Sequence, residues 1–296
     1  MIKHLGLKAY GKINLGLDVV RKREDGYHEV RMIMQTVRVY DKIDLVRSEQ
    51  PGIRLETNLY YLPDNENNLG YRAAKLLMDE FGVTEGVEIK MKKFIPVAAG
   101  MAGGSSDAAA VLFGVNKMFS LGLTTEQLME RGVKLGADVP YCIMRGTALS
   151  EGIGEILTPL PPMPQCQILI AKPPISVSTK FVYENLYLPS LSRDAHPNID
   201  KIAKALASRD FYGVADNLGN ILETVTIPAH PVIREIKEKM MELGAVNALM
   251  SGSGPTVFGI FDDREKAERA LSRLKESGLT RQTFLTTAYN NGGTRD

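Results

Sequence analysis

Cysteine is nearly missing from this chain: Cys142 and Cys166 are the only two in 296 residues, and both stand beside apolar stretches. That usage excludes a disulfide-stapled scaffold and predicts buried, reduced thiols in a reducing compartment. Histidine is almost as sparse, with His4, His28, His196 and His230 making up the whole set. No CxxC, Ser-His-Asp signature or cluster with metal-ligand spacing occurs, so histidine-based metal chemistry is not expected. An excess of charge is lacking too. The 36 Lys and Arg nearly cancel the 35 Asp and Glu, for a formal net charge of +1, which argues against nucleic acid or an anionic membrane as the main partner. No apolar run reaches membrane-spanning length, the first residues hold no apolar signal core, and no internal repeat is found. What remains is a chain of 44% hydrophobic residues, long enough for two domains or one large one, and the expectation is a cytoplasmic enzyme.

The most informative segment is PVAAGMAGGSSDAAA, Pro96 to Ala110, a glycine run and two serines set directly before an alanine-rich apolar stretch. That order reads as a loop feeding a helix N-terminus. N–H groups at such a start lack intrahelical acceptors and lie at the positive end of the helix dipole, so they suit phosphate oxygens. Gly100, Gly103 and Gly104 keep Cβ atoms out of the way of an anion, and Ser105 or Ser106 is expected to cap the helix or face a phosphate. A glycine-rich turn with an ordinary cap is the alternative. The segment is not the common P-loop, which would end in Gly-Lys-Ser/Thr; here Asp107 follows the serines.

Four further places carry polar groups that plain structure does not require. Lys12 sits within the apolar alternation of AYGKINLGL, where it either meets an anion or carboxylate or points to solvent. The DGYH element, Asp25 to His28, joins an Asp-Gly turn to an aromatic ring and an imidazole, a pair suited to stacking on a planar ring and bonding its edge, or else a surface turn. In SGSGPTVFGIF, Ser251 to Phe261, Gly252 and Gly254 make either a loop that lets another backbone or a phosphate approach or a hairpin turn. Asp138, in GADVP, is placed at a helix exit or loop, where a carboxylate accepts a proton from a hydroxyl or caps a neighbouring element.

Periodicity predicts a strand pair over Leu7–Val20, a β-rich segment over Val30–Val46 and strands at Gly52–Thr57, Val87–Ile95, Cys166–Ala171 and Thr283–Ala288. Helices are predicted over Asn68–Phe81, Ser106–Phe119, Thr124–Leu135, Thr179–Leu186, Asn198–Ser208, Pro231–Leu243 and Arg264–Lys275. LGADVP is read as a loop leading into strands, the tail NNGGTRD as disordered, and the proline cluster Thr158–Pro164 as a domain boundary. The order of elements favours an α+β fold with an antiparallel sheet and helices on one face.

In chain order, Lys12 in its strand, the P-x-x-x-G-x-x-G-G-S-S-x-A run at Pro96 to Ala108 and the glycine loop at Ser251 to Pro255 resemble the kinase superfamily named for galactokinase, homoserine kinase, mevalonate kinase and phosphomevalonate kinase. REDGYH, GGSSDAAA, LGADVP and EGIGE narrow the resemblance to the branch that phosphorylates a cytidylated methylerythritol in the non-mevalonate route to isoprenoids. The resemblance implies an N-terminal part over 1–160, like a ribosomal-protein domain, and a ferredoxin-like C-terminal part over 161–296. It implies ATP as co-substrate with Mg²⁺, for which no protein ligand is assigned, and a small-molecule acceptor rather than nucleic acid or membrane. It also implies Asp138 as general base and acceptor contact with Lys12 as its partner, and ATP contacts at Asn68, Pro96, Gly100, Ala102, Gly103, Gly104, Ser105, Ser106 and Asp107. Acceptor contacts are implied at Asn14, Tyr27, His28, Tyr183, Gly252 and Ser253. One departure stands out: many relatives have leucine and glycine where this chain has Met101 and Ala102. The alternatives are a sibling kinase of homoserine or mevalonate type, which DGYH opposes, and a non-catalytic ligand- or nucleic-acid-binding protein on the same fold. The balanced charge and the presence of both Lys12 and Asp138 oppose the second.

Overall fold

The computed structural model describes residues 2–290; the end of the NNGGTRD tail lies outside the described residues. The chain opens with two long strands, β1 (His4–Lys22) and β2 (His28–Ser48), followed by β3 (Gly52–Thr57), α1 (Leu69–Glu80) and β4 (Gly86–Lys92). Three helices come next: α2 (Gly103–Met118), α3 (Thr125–Val133) and the short α4 (Val139–Met144). Then follow β5 (Thr147–Glu151), β6 (Ile156–Pro159), β7 (Gln167–Lys172), α5 (Thr179–Glu184), α6 (Ile199–Ala207), α7 (Phe211–Asp216), β8 (Gly219–Asn220) and α8 (Glu223–Ala229). The last elements are α9 (Val232–Glu242), β9 (Asn247–Met250), β10 (Val257–Phe261), α10 (Arg264–Glu276) and β11 (Gln282–Thr286).

By contacts the chain divides into two compact units, and β1 and β2 each contribute a half to both. The first unit holds Met1–Gly11, Val39–Val97 and Ala102–Met144. Here β2 pairs antiparallel with β4 from Lys42↔Lys92 to Ser48↔Gly86, and β4 pairs parallel with β3. α1 packs on α2, and α2 on α3 and α4. The Asn68 side chain caps α1 by accepting from Gly70 N, and Ala73, Ala74, Leu77 and Met78 form its buried stripe; Phe81, expected on that stripe, is 39% exposed. Thr124 and Gln127 close a reciprocal capping box on α3, as a threonine three residues before a glutamine does.

The second unit holds Lys12–Arg38, Ala98–Met101 and Arg145–Asp296. Its strands include the pairs β2–β5, β5–β6 and the parallel β1–β8. A separate antiparallel sheet of four strands has the order β11-β7-β10-β9, with α9 and α10 packed on it and on each other. Read as β-α-β-β-α-β, that order is 4-1-3-2, the ferredoxin-like arrangement. Phe258, Ile260 and Phe261 are fully buried in it, each worth about 1.5–3 kcal/mol over exposure. The α+β expectation holds.

Several local expectations change. Leu7–Val20 is not a strand pair but part of one continuous strand that runs through Gly11, Asn14 and Gly16 without turning. α2 begins three residues before Ser106, because Ala102 at φ +55, ψ +31 turns the chain directly into a helix at Gly103. The loop expected after Asp138 is the helix α4, because a proline in a first turn lacks only an N–H that has no helical partner anyway. Asp138 therefore stands at a helix entry, its carbonyl accepting from Cys142 N at 3.0 Å. α7 and α8 lie where no helix was expected.

Candidate active site

In the first unit, the turn at Ala102 exposes the start of α2 with no side chain capping it. The N–H groups of Gly103, Gly104 and Ser105 thus have neither a helical carbonyl nor a cap. The serines divide their roles, and neither is the cap the sequence suggests. Ser106 is buried and its hydroxyl donates to Tyr10 O at 2.6 Å. Ser105 stays half-exposed, and a Cβ built on Gly136 would lie 3.9 Å from its Oγ, so it faces the loop that delivers Asp138. Asp138 itself is half-buried. Asn68 commits both ends of its amide locally, accepting from Gly70 N and donating to Pro63 O at 2.9 Å each. Pro96 is buried one residue beyond Ile95.

Beneath that helix start lies a charge cluster that sequence reasoning missed. Asp107 is buried, and its carboxylate accepts from the Lys93 ammonium, which also donates to the fully buried Asp41. Asp41 in turn accepts from Phe94 N and from Ile95 N, the latter at 2.8 Å. Burial pushes the Asp107 carboxyl up to about 7, with Lys93 pulling it back and Asp41 adding to the rise. Burial acts to lower the Lys93 ammonium, but the two carboxylates outweigh it and leave it above its ordinary value. One Asp107 oxygen, Oδ1, is buried with no hydrogen-bond partner among the described residues. No sequence signal joins Asp41, Lys93 and Asp107, because Lys93 lies 52 positions from Asp41 and 14 from Asp107, and Asp41 and Lys93 look like ordinary surface charges.

In the second unit, Lys12 and Asn14 point inward from one face of β1. Lys12 is 5% exposed and its Nζ donates to Asn14 Oδ1 at 2.7 Å, while Asn14 Nδ2 lies 3.2 Å from the Met32 sulfur. The Lys12 N–H donates to Met101 O at 3.1 Å, fixing the first half of the glycine run on this strand. Gly100 has φ +70, and a Cβ there would stand 2.1 Å from Ser251 O, so glycine is required on both counts. Ser251 Oγ donates to Gly100 O at 3.0 Å. A Cβ on Gly252, at φ +59, would come within 3.3 Å of Gly100 Cα and 3.6 Å of Asn14 Oδ1. Gly100, Asn14 and Gly252 therefore share one small space. Ser253 is anchored by a 2.8 Å contact between its Oγ and Thr179 Oγ1 at the start of α5.

The DGYH element is a turn with its aromatic groups displayed. Gly26 has φ +86, Tyr27 N donates to Asp25 Oδ1 at 3.1 Å, and Arg23 pairs with Asp25, whose bond holds that carboxyl below its ordinary value. Tyr27 is 61% exposed. His28 and Tyr183 face each other with ring centroids 5.1 Å apart and planes at 40°. Partial burial, helped by the nearby Lys22 charge, lowers the His28 pKa and so favours the neutral ring, which presents one donor and one acceptor nitrogen.

Comparison with known proteins gives this geometry its relatives. The description "GHMP kinases N terminal domain" matches residues 68–146, and "GHMP kinases C terminal" matches residues 202–279. A protein of Lachnoclostridium phytofermentans named 4-diphosphocytidyl-2-C-methyl-D-erythritol kinase is 57% identical over 282 residues, covering 95% of this chain and 96% of that one. The chain belongs to the GHMP kinase family. A Lachnospira eligens protein of the same name is 54% identical over 97% of this chain and 99% of its own length. A crystal structure titled 4-(cytidine 5'-diphospho)-2C-methyl-D-erythritol kinase superposes with a TM-score of 0.83 at 31% identity, covering 97% of this chain and 100% of that one. Within this GHMP kinase's glycine run, Ala102 takes the left-handed turn as a non-glycine residue.

Proposed function

We propose that the chain phosphorylates 4-diphosphocytidyl-2-C-methyl-D-erythritol with ATP, in the non-mevalonate route to isoprenoid precursors. The observation that carries the reading is the convergence, on one stretch of β1, of the buried Lys12–Asn14 pair with Gly100 and Gly252. It is supported by the near-full-length likeness to kinases of that name.

Phosphoryl transfer is mainly positioning and charge stabilisation. The acceptor oxygen attacks the γ-phosphorus, the bond to the bridging oxygen of ADP breaks, and the hydroxyl proton passes to the Asp138 carboxylate. The Lys12 ammonium steadies the attacking oxygen. The uncapped N–H groups of Gly103, Gly104 and Ser105 cradle the phosphates, with Asn68, Pro96, Gly100 and Ala102 completing the ATP contacts and Ser106 and Asp107 supporting them from beneath. Tyr27, His28 and Tyr183 hold the cytosine, and Asn14, Gly252 and Ser253 hold the methylerythritol end, with its 2-hydroxyl as acceptor.

Among the described residues no three His, Cys, Asp or Glu gather as a metal-binding group. Mg²⁺ is assigned to the nucleotide and its waters, as suits an ion that dehydrates reluctantly, and no step runs through it. No helix among the described residues is long and apolar enough to cross a membrane, and a cytoplasmic setting with buried, reduced cysteines belongs to the same proposal. The Cys166 thiol, pushed up to about 12 by burial, fits it. The N-terminal and C-terminal kinase parts are placed at 1–160 and 161–296, and the two family matches fall on either side of that boundary. The test is product analysis by ³¹P NMR after incubation with ATP and the cytidylated alcohol. Formation of ADP with a new phosphomonoester on the 2-hydroxyl supports the proposal; ATP hydrolysis without such an ester contradicts it.

A further inference from the structure

Two side chains outside every motif take over the backbone of a single residue at the edge of the glycine loop. Met250 ends β9, and its N–H donates to Glu223 Oε1 while its carbonyl accepts from Asn220 Nδ2, both at 2.8 Å. The same Asn220 nitrogen donates a second 2.8 Å bond to Gly252 O, and Asn220 Oδ1 accepts from Leu222 N at 3.0 Å. Asn220 is buried, and both of its amide hydrogens go to the loop strand and the loop itself. A primary amide has two donors, so none is left for anything else.

The amide is held from behind as firmly as it holds the loop. β8 pairs with β1 at Gly16↔Gly219 and Leu17↔Asn220, and Ile221 N donates to Leu17 O at 3.0 Å. Asn220 is thus locked to the strand that carries Lys12 and Asn14. On the loop's other side there is little room, because a Cβ on Gly252 would already come within 3.3 Å of Gly100 Cα and 3.6 Å of Asn14 Oδ1. A shift of the Gly252 carbonyl is a shift of the surface on which the acceptor rests.

We propose that Asn220 is a positioning residue for the acceptor side of the kinase site, with Glu223 as its accessory, setting Gly252 and Ser253 against Gly100 and Asn14. The proposal rests on the kinase reading given above and deepens it. In-line transfer is sensitive to placement, and a misplacement of about 1 Å far from the chemistry can cost about a hundredfold.

Asn220→Asp keeps the shape and the acceptor to Leu222 but turns the donor nitrogen into an oxygen facing two carbonyls. At neutral pH its kcat/KM for the cytidylated alcohol should fall about ten- to hundredfold, while the Kd for ATP, by calorimetric titration, changes less than about threefold. Lowering the pH should recover part of the loss relative to wild type, because a protonated carboxyl returns one donor. Amide hydrogen exchange over 251–254 should accelerate. Glu223→Ala should change the same readouts in the same direction and Glu223→Gln should restore them, since an amide oxygen still accepts from Met250. This second pair decides the matter if Asn220→Asp does not fold. Lys237→Met breaks the 2.5 Å ion pair to Glu223 Oε2 but spares the Met250 bond, and should behave as wild type. Unchanged loop exchange with unchanged acceptor kinetics would overturn the proposal, as would a loss of ATP affinity equal to the loss in kcat/KM. The exchange arm does not depend on turnover, so a wild-type chain that fails to phosphorylate the alcohol would sink the kinase reading without deciding the loop.

Discussion

Lys12 Nζ and Asn14 Oδ1 are joined by a 2.7 Å hydrogen bond, two residues apart on the same face of β1 in a fully enclosed setting. The bond shows which way Lys12 points, a choice its sequence left open. A neutral amide oxygen balances none of the ammonium charge, and a buried cation calls for an anion. That requirement fits a site where a phosphoryl group and a developing alkoxide are handled. Lys12→Met keeps most of the stem volume and removes the charge. Its turnover should fall about 10²- to 10³-fold with the thermal midpoint nearly unchanged; a variant that is only less stable would make Lys12 structural.

Asp138→Asn should lower kcat by about two to four orders of magnitude and leave ATP binding intact, as measured by titration. Its half-buried place at the entry to α4 costs little to change, because the α4 contact uses its carbonyl. Turnover within a few-fold of wild type would remove Asp138 from the proton-accepting role.

The facing rings of His28 and Tyr183 and the exposed Tyr27 predict a pattern confined to the acceptor. His28→Ala and Tyr27→Ala should raise the KM for the cytidylated alcohol by about tenfold with the KM for ATP unchanged, and Tyr183→Ala should do the same more weakly. His28→Ala should also narrow the preference for cytidine over a uridine analogue. Because burial, with the Lys22 charge, lowers the His28 pKa, wild-type acceptor binding should weaken only at a pH below that at which an ordinary imidazole takes its proton. Equal cytidine preference in wild type and His28→Ala would reduce DGYH to a surface turn.

The glycine run makes two opposite predictions. Gly100→Ala places a Cβ 2.1 Å from Ser251 O at φ +70 and should destabilise the fold and weaken ATP binding together. Ala102→Gly relieves a left-handed alanine at φ +55 and should stabilise by about 0.5–1 kcal/mol, the left-handed penalty less glycine's entropic cost, read as a higher thermal midpoint. Gly103 has no positive φ, yet its Cβ would stand 3.1 Å from Ile95 Cγ2 and 3.5 Å from Lys93 Nζ. Larger side chains there fail for want of space.

The Asp41–Lys93–Asp107 cluster predicts a pH dependence of stability. Asp107 has an ordinary value of 3.8 and is raised to about 7 in the fold. The folded chain therefore holds a proton that the unfolded chain releases, and stability falls as pH rises between those values. Asp107→Asn removes the proton, so its stability relative to wild type should rise from pH 4 to pH 7, by at most about 1.4 kcal/mol per unit, in urea unfolding series. A difference that does not vary with pH, or runs the other way, would contradict the assignment.

The sequence was most readable where a residue acts through its own backbone or its immediate neighbours. The helix starts at Asn68 and Thr124, the strand Gly52–Thr57 and the Asp-Gly turn of DGYH are of this kind. The start of α2 was misread because the serines look like caps, whereas Ala102 turns the chain earlier and Ser106 is drawn to Tyr10. Asp41, Lys93, Asn220 and Glu223 were not readable at all. Their bonds reach from 14 to 52 positions along the chain or to a loop's carbonyls, and only folding brings those partners together.

The most direct test of the account is transfer from γ-labelled ATP by the wild-type chain, offered in parallel the cytidylated methylerythritol, its uridine analogue, the uncytidylated alcohol, homoserine and mevalonate. The account predicts that kcat/KM for the cytidylated alcohol exceeds every other by at least about a hundredfold, as expected of a site built around specific donors and acceptors. Transfer to homoserine or mevalonate at a comparable or higher kcat/KM, or no transfer to the cytidylated alcohol, would contradict it.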